Sequence, residues 1–397
     1  MSISSFLLRR GALLLVSGLV LFACVAPNEY MLTPARLESA AGVVYRMAYF
    51  VVLPARLVVM HWLPSVNHHW PVAHTAVVSL FAPFFWYALW RFARRVHRFL
   101  AHEMPSPAPL NPSRRAFISG AAAGSVSLAL GGGTAYGALL EPQRIAVRNY
   151  TLPIRNLPPA FERFRIVHIA DTHYGPFVSL AFINDAIQRA NGLRPDLVVL
   201  TGDYVHRNRK GIADGIGVFR NLQSRFGAVA VLGNHDHWED ADTCREVFAD
   251  MRLPLLDNTR RFLTASGWTD SPANDAICIG GVGDMYEDEV DFERATGALP
   301  HDMPRLILSH NPDTAETIPP HLRVDALFCG HTHGGQVRLP ILGVPAKVTV
   351  YGNKYLGGYC HGPQCPVLVS RGVGLGGIPL RFRVPPEISV TVLRRTT

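Results

Sequence analysis

Long uncharged runs fill the first third of this chain, and short apolar runs separated by polar segments fill the rest. Residues 6–26 and 71–90 are nearly continuous apolar stretches, Arg9 and Arg10 apart. Each approaches the ~20 residues that cross a bilayer as a helix, and both predict transmembrane helices. Residues 42–63 are also apolar but carry Arg46, Pro54 and Arg56. That segment either spans or lies in the interface with its arginines reaching for water. A fourth apolar stretch follows Arg114 and Arg115 and runs to Leu140. The arginine pair reads either as a twin-arginine export signal placed internally or as charges flanking a helix. The pattern predicts a membrane region over residues 1–140 with three or four spans, and a catalytic-sized domain over residues 141–397.

Arg91, Arg94, Arg95 and Arg98 share a loop with Arg114 and Arg115. Basic loops stay in the cytoplasm, so the domain that follows the fourth stretch is placed outside it. If residues 42–63 span and the N-terminus is cytoplasmic, the count reverses and the domain faces the cytoplasm. Leu21 to Cys24 loosely resembles a lipoprotein cleavage box, but Phe22 is bulky for it and further spans follow. His68, His69 and His74 sit beside an apolar segment and read as interfacial residues.

Beyond residue 141 the period shortens. Runs at 165–169, 196–200, 228–232, 276–279, 305–308 and 324–328 are rich in Val, Ile and Leu and read as buried strands. Residues 179–191 and 242–251 fit helices, with Ser179 as an N-cap. The alternation from Ile388 to Leu393 fits a further strand. The predicted class is mixed α/β.

Composition adds little that the pattern has not explained. The chain has 397 residues, 48% of them hydrophobic and only 17% charged, and the apolar runs before residue 141 account for the imbalance. Its formal net charge of +8 draws on arginines beside those runs, which act as ordinary topology signals. The charge therefore gives no argument for nucleic acid. The six cysteines contain no CxxC pair, so a zinc ribbon or thioredoxin-type site is unsupported. Cys360 and Cys365 have a spacing compatible with a disulfide in an oxidising compartment.

Chemistry concentrates where the runs end. They lead into Asp171-Thr172-His173, Gly202-Asp203, Gly233-Asn234-His235-Asp236, Ser309-His310 and Gly330-His331-Thr332-His333. Open α/β sheets place ligands at the carboxyl ends of their strands. Carboxylate, imidazole and amide oxygen together suit Mn²⁺, Fe or Zn²⁺. Asp171 and His173 are one residue apart, and an extended segment would put both side chains on one side. His331 and His333 repeat the spacing. Gly202, Gly233 and Gly330 allow sharp turns and close backbone approach just before the ligands. The set suffices for two ions bridged by one carboxylate.

The ordered motifs DTH, GDYVHR, GNHD, SH and GHTH resemble those of the calcineurin-like metallophosphoesterase superfamily, over residues 160–397. Within it the chain looks most like bacterial membrane-associated phosphodiesterases with a twin-arginine-like segment. Their closing pattern resembles residues 370–374, 379–382 and 385–388 here. The resemblance implies a four-layer α/β/β/α sandwich behind a transmembrane helical region, in a multi-pass protein of the bacterial inner membrane. It implies that one ion is held by Asp171, His173 and His333, and the other by Asn234, His310 and His331, with Asp203 between them. His235 would not ligate; it would stabilise the transition state or protonate the leaving oxygen, while a water or hydroxide between the ions attacks. No G-x-S-x-G elbow competes with that reading.

The implied reaction is hydrolysis of a phosphodiester or phosphomonoester, a lipid-linked phosphate being one candidate substrate. Some relatives cleave the pyrophosphate of UDP-diacylglucosamine, which would need a cytoplasmic site. A non-catalytic binding domain is the other alternative. Around the motifs, Asp236 reads as a partner that orients His235 or as a surface aspartate. His237 and His206 are open, and Arg207 is either a phosphate contact or a solvated charge. Arg371 and Arg381 either grip phosphate or pair with acids. His168 reads as a core histidine, and Gln336 as part of the rim.

Overall fold

The computed structural model describes residues 132–133, 136–345 and 347–396. The predicted spans, Arg114, Arg115 and Cys24 lie outside them. Among the described residues no helix is long and apolar enough to cross a membrane. The end of the fourth apolar stretch is visible as a π-helical turn, Tyr136–Leu140.

Two sheets form the domain. The strands β1 (Ala146–Arg155), β2 (Arg165–Ile169), β3 (Leu197–Thr201), β4 (Ala228–Val231) and β12 (Glu387–Thr396) make the first, in the order β1-β12-β2-β3-β4. The second holds β5 (Thr259–Thr264), β6 (Gly267–Thr269), β7 (Ile277–Gly281), β8 (Arg305–Leu308), β9 (Ala326–Cys329), β10 (Gly358–His361) and β11 (Pro366–Val369), in the order β10-β11-β9-β8-β7-β5-β6. The strands β2, β3 and β4 run parallel, as do β7, β8, β9 and β11. Their near-continuous apolar sequences follow from burial on both faces.

Between the sheets lies a core of Ile166, Leu197, Val199, Val229 and Val231 against Ile277, Ile279, Leu306, Leu308 and Phe328. Each such side chain contributes about 1.5–3 kcal/mol on burial. The other face of the first sheet packs on α1 (Leu180–Gly192), α2 (Ile212–Gly217) and α3 (Asn234–Asp250). The outer face of the second carries α4 (Phe292–Thr296) and short 3-10 turns.

Every run predicted as a strand is a strand; 165–169 and 305–308 coincide with β2 and β8, and the others have ends displaced by one to a few residues. Ser179 does cap α1, its Oγ accepting from Phe182 N at 3.3 Å. The predicted helix 242–251 is the second half of α3, which breaks at Asp240 and restarts with Asp240 Oδ1 accepting from Thr243 N. The first half, carrying His235, was not expected. Nor was β1, an edge strand with most residues exposed and with Pro153 in it, the position where proline is tolerated. Cys360 and Cys365 are buried free thiols near the β10–β11 hairpin, so no disulfide joins them.

His168 on β2 is fully buried, its Nε2 2.8 Å from Thr201 Oγ1. Burial pushes its imidazole down to about 3. The unfolded chain protonates this histidine near pH 6.5 and the folded chain resists. Its contribution is therefore complete above pH 6.5 and is lost as pH falls from there towards 3, by up to about 1.4 kcal/mol per pH unit. In urea unfolding of the metal-loaded protein, His168→Gln should lessen the destabilisation between pH 7 and pH 5 by about 2 kcal/mol. Equal pH slopes in the two proteins would disprove this.

Candidate metal centre

Both sheets deliver their ligands from strand carboxyl ends. Asp171 and His173 follow β2, Asp203 follows β3, and Asn234 with His235 opens α3 just after β4. His310 follows β8, and His331 with His333 follows β9. The loops after β2 and β3 continue the parallel ladder: Asp171 N donates to Gly202 O at 3.0 Å, His173 N to Asp203 O at 3.0 Å and Tyr174 N to Tyr204 O at 2.8 Å.

The extended conformation expected at Asp171-Thr172-His173 is not what brings these side chains together. Asp171, His173, Asp203, His331 and His333 all have positive φ, between 47° and 72°. Non-glycine residues occupy that region reluctantly, and such strain gathers at functional sites. The glycines serve closeness. Gly202 itself is left-handed at φ 84°. A Cβ on Gly233 would meet Asp203 Oδ1 at 2.4 Å, and one on Gly330 would meet Asp171 Oδ2 at 2.6 Å.

Ligand atoms converge in overlapping groups. Asp171, His173 and His333 form one, Asp203, His310 and His331 another, and His173, His206 and His235 a third that shares His173 with the first. In the first, His173 Nε2 faces His333 Nε2 at 2.9 Å, with the rings stacked, and His333 Nε2 lies 3.7 Å from Asp171 Oδ1. In the second, Asn234 Oδ1 is 3.1 Å from both His310 Nε2 and His331 Nδ1. Asp203 Oδ2 joins the two, 3.5 Å from His173 Nε2 and 3.3 Å from His310 Nε2.

The donor set fits divalent cations. Asp171 Oδ2 is buried with no hydrogen-bond partner, a condition that buried polar atoms rarely tolerate. His310 Nδ1 lies 2.8 Å from Thr201 O. A proton there leaves the Nε2 lone pair facing Asp203, so the carbonyl sets which ring nitrogen is free to bind a metal. Charge points the same way. Burial opposes a charged His310, but Asp203, Asp171 and Asp284 more than offset it and push it up to about 10. Burial also opposes ionisation of Asp203, yet His310, His235 and His173 hold its carboxyl well below the usual range. The pocket thus selects positive charge beside Asp203.

The remaining candidates separate. His235 N donates to Asp203 Oδ1 at 2.9 Å, and its ring lies edge-on to His173 with centroids 4.7 Å apart. Its Nδ1 is 2.9 Å from His206 Nδ1. Asp236 neither lies on the surface nor orients His235. It is fully buried and accepts from Asp203 N, Tyr204 N and Gly233 N at 2.8 to 2.9 Å, clamping the turn that carries Asp203. Arg381, also fully buried, donates to the carbonyls of Gly372, Gly374 and Val384 and reaches within 3.3 Å of His333 Nδ1. It is spent on loop carbonyls and does not grip a phosphate. Arg371 pairs with Glu387 at 3.5 Å, and Arg207 N donates to Glu239. Gln336 ties the rim by accepting from Gly376 N and donating to Ile378 O. His237 belongs to none of the ligand groups.

Asp284 escaped the sequence reading. It is buried past the end of β7, accepts from Tyr286 N and Glu287 N through Oδ1, and adds negative charge near His310. The signal was present in Gly280-Gly281-Val282-Gly283-Asp284 after a predicted strand, but four intervening residues hid the strand-end rule. Trp238 and Tyr286 are also new, being half-exposed aromatics next to His235 and His331.

Comparison with known proteins places this geometry. Residues 164–335 match the calcineurin-like phosphoesterase family. The chain is 30% identical to the uncharacterized metallophosphoesterase YkuE of Bacillus subtilis over 292 residues, 72% of this chain and 98% of that protein. It is 31% identical to phosphodiesterase YaeI of Escherichia coli, over 71% of this chain and 99% of that one. To the UDP-2,3-diacylglucosamine pyrophosphatase LpxG of Chlamydia trachomatis it is 28% identical, over 63% of this chain and 89% of that one.

Proposed function

The chain belongs to the calcineurin-like phosphoesterase family, and from that premise we propose how its residues divide the work of metal-dependent phosphoester hydrolysis. It is a hydrolase with divalent metal at its centre. Asp171, His173 and His333 would hold one ion and Asn234, His310 and His331 the other, with Asp203 facing both groups. The observation that carries this division is Asp203 Oδ2, 3.5 Å from His173 Nε2 and 3.3 Å from His310 Nε2, so that it faces a ring nitrogen of each group. When bound, the ions supply Lewis acidity, which acidifies water and neutralises phosphoryl charge; Mn²⁺, Fe and Zn²⁺ all suit the donors.

The residues do the rest. Thr201 O fixes the tautomer of His310, Asp236 holds the Asp203 turn, and Arg381 braces the loops around His333. His235, fixed through its backbone to Asp203 and through Nδ1 to His206, is the proton donor to the leaving oxygen. Against the non-catalytic alternative stands the sequence itself, in which none of the seven ligand positions carries a residue unable to bind metal.

Metal removal tests the proposal. The purified full-length chain, stripped by chelation, should lose hydrolysis of bis-p-nitrophenyl phosphate and p-nitrophenyl phosphate and regain it with Mn²⁺. Turnover that survives chelation unchanged would refute a metal-dependent site. Similarity to LpxG favours one second reading, cleavage of a lipid-linked pyrophosphate at a cytoplasmic face. Release of UMP from UDP-2,3-diacylglucosamine would support it, and a C-terminal reporter active only outside the cytoplasm would exclude it. The family resemblance and the apolar runs before residue 141 support a multi-pass inner-membrane protein. Topology favours an extracytoplasmic domain.

A further inference from the structure

The segment leaving the last metal ligands is unusual in charge. From Ala326 to Pro386 the chain carries Arg338, Lys347, Lys354, Arg371, Arg381 and Arg383 and no aspartate or glutamate. Soon after His333 it enters a tight hairpin, closed by Leu339 N to Gly343 O at 2.7 Å and Gly343 N to Leu339 O at 3.0 Å. The tip presents Ile341 and Leu342, 106% and 77% exposed. Ile341 has φ 66°, a conformation β-branched residues avoid. Two large apolar side chains are thus ordered where they bury nothing within the domain, and such a patch calls for a partner.

The same edge receives the chain from the fourth apolar stretch. Arg381 N donates to Gly137 O at 2.9 Å and Arg383 N to Glu141 Oε2 at 2.7 Å. On the opposite side of this segment, Phe382 N donates to Gln336 O and Arg338 N to Phe382 O, both at 2.9 Å. One short segment, 381–383, therefore joins the hairpin to the turn that bears Leu139 and Leu140, 59% and 58% exposed.

We propose that this edge is a lipid-docking surface, with Ile341 and Leu342 entering the acyl chains of an anionic bilayer and the exposed Arg338 and Lys347 meeting lipid phosphates. Two observations select lipid as the occupant. Arg381 is buried, and Arg371 and Lys354 pair with Glu387 and Glu316, but the exposed Arg338, Lys347 and Arg383 are complementary to anionic headgroups. The apolar run that ends at Leu140 leads into this same edge. A soluble partner would explain the tip but not that convergence. His333 lies five residues before Arg338, so docking holds the metal centre near headgroup phosphates. The inference takes membrane attachment from the proposed function and adds a second contact to it.

The test uses the full-length chain in nanodiscs containing phosphatidylglycerol, with Cys24→Ala and a nitroxide attached at Ile341→Cys. The cysteines at 244, 278, 329, 360 and 365 are buried and escape labelling. Ser271→Cys, in an exposed turn after β6, gives the aqueous reference. The label at 341 should collide more with oxygen and less with a water-soluble nickel complex than the reference. Equal nickel access would overturn the proposal, and so would shielding from both relaxants, which indicates a protein contact. The double variant Ile341→Asp with Leu342→Asp should keep bis-p-nitrophenyl phosphate turnover; its loss would make the tip part of the active site rather than a lipid contact. An inactive wild type with a lipid-immersed label would instead leave docking intact and sink the hydrolase assignment.

Discussion

Asp203→Asn is expected to lower kcat/KM for bis-p-nitrophenyl phosphate by about 10³-fold, equivalent to about 4 kcal/mol, and to leave the protein folded. The size follows from position. Asp203 is buried and its Oδ2 faces histidines of both ligand groups, so the substitution removes the negative charge that opposes two cations at once. The fold should survive because the side chain still offers Oδ1 to His235 N, a bond of 2.9 Å in the native protein, and because a neutral amide is easier to bury than a carboxylate. Bound manganese, measured by elemental analysis, should fall by about half or more. If the variant kept its full metal content and its turnover, the bridging role would be abandoned.

His235→Ala should behave in the opposite way with respect to metal. His235 stands beside both groups, with its ring 4.7 Å from that of His173 and its Nδ1 committed to His206, yet it is not needed to complete either ligand set. Metal content should stay at the native level while kcat falls about 10²- to 10³-fold, the range for loss of a positioned general acid. The loss should deepen as the leaving group becomes more basic, because p-nitrophenolate departs readily unprotonated and an alkoxide does not. A uniform loss across leaving groups would point to transition-state stabilisation instead, and a loss of metal would make His235 a ligand.

The strands were legible because a buried parallel strand must be apolar on both faces, and the ligands because parallel strands end on one side of a sheet. Runs such as Arg165 to Ile169 and Arg305 to Leu308 coincide with β2 and β8. The edge strand β1 was not legible, since its first half is exposed on both faces and its edge position permits Arg148, Asn149 and Pro153. Asp236 was misjudged for a related reason. An aspartate beside a motif histidine looks the same in sequence whether it contacts that histidine or, as here, three backbone amides of neighbouring loops.

By itself the sequence determined the mixed α/β class, the ordered set of hard and borderline ligands, and the polarity change near residue 141, since periodicity and side-chain chemistry are local properties. Only the tertiary structure decided that five ligand-bearing positions adopt left-handed backbone, that Asp203 joins two groups each drawn from both sheets, and that Arg381 serves loop carbonyls. Those outcomes depend on contacts between residues more than a hundred positions apart, such as His173 with His333 and Thr201 with His310, and spacing along the chain carries no record of them.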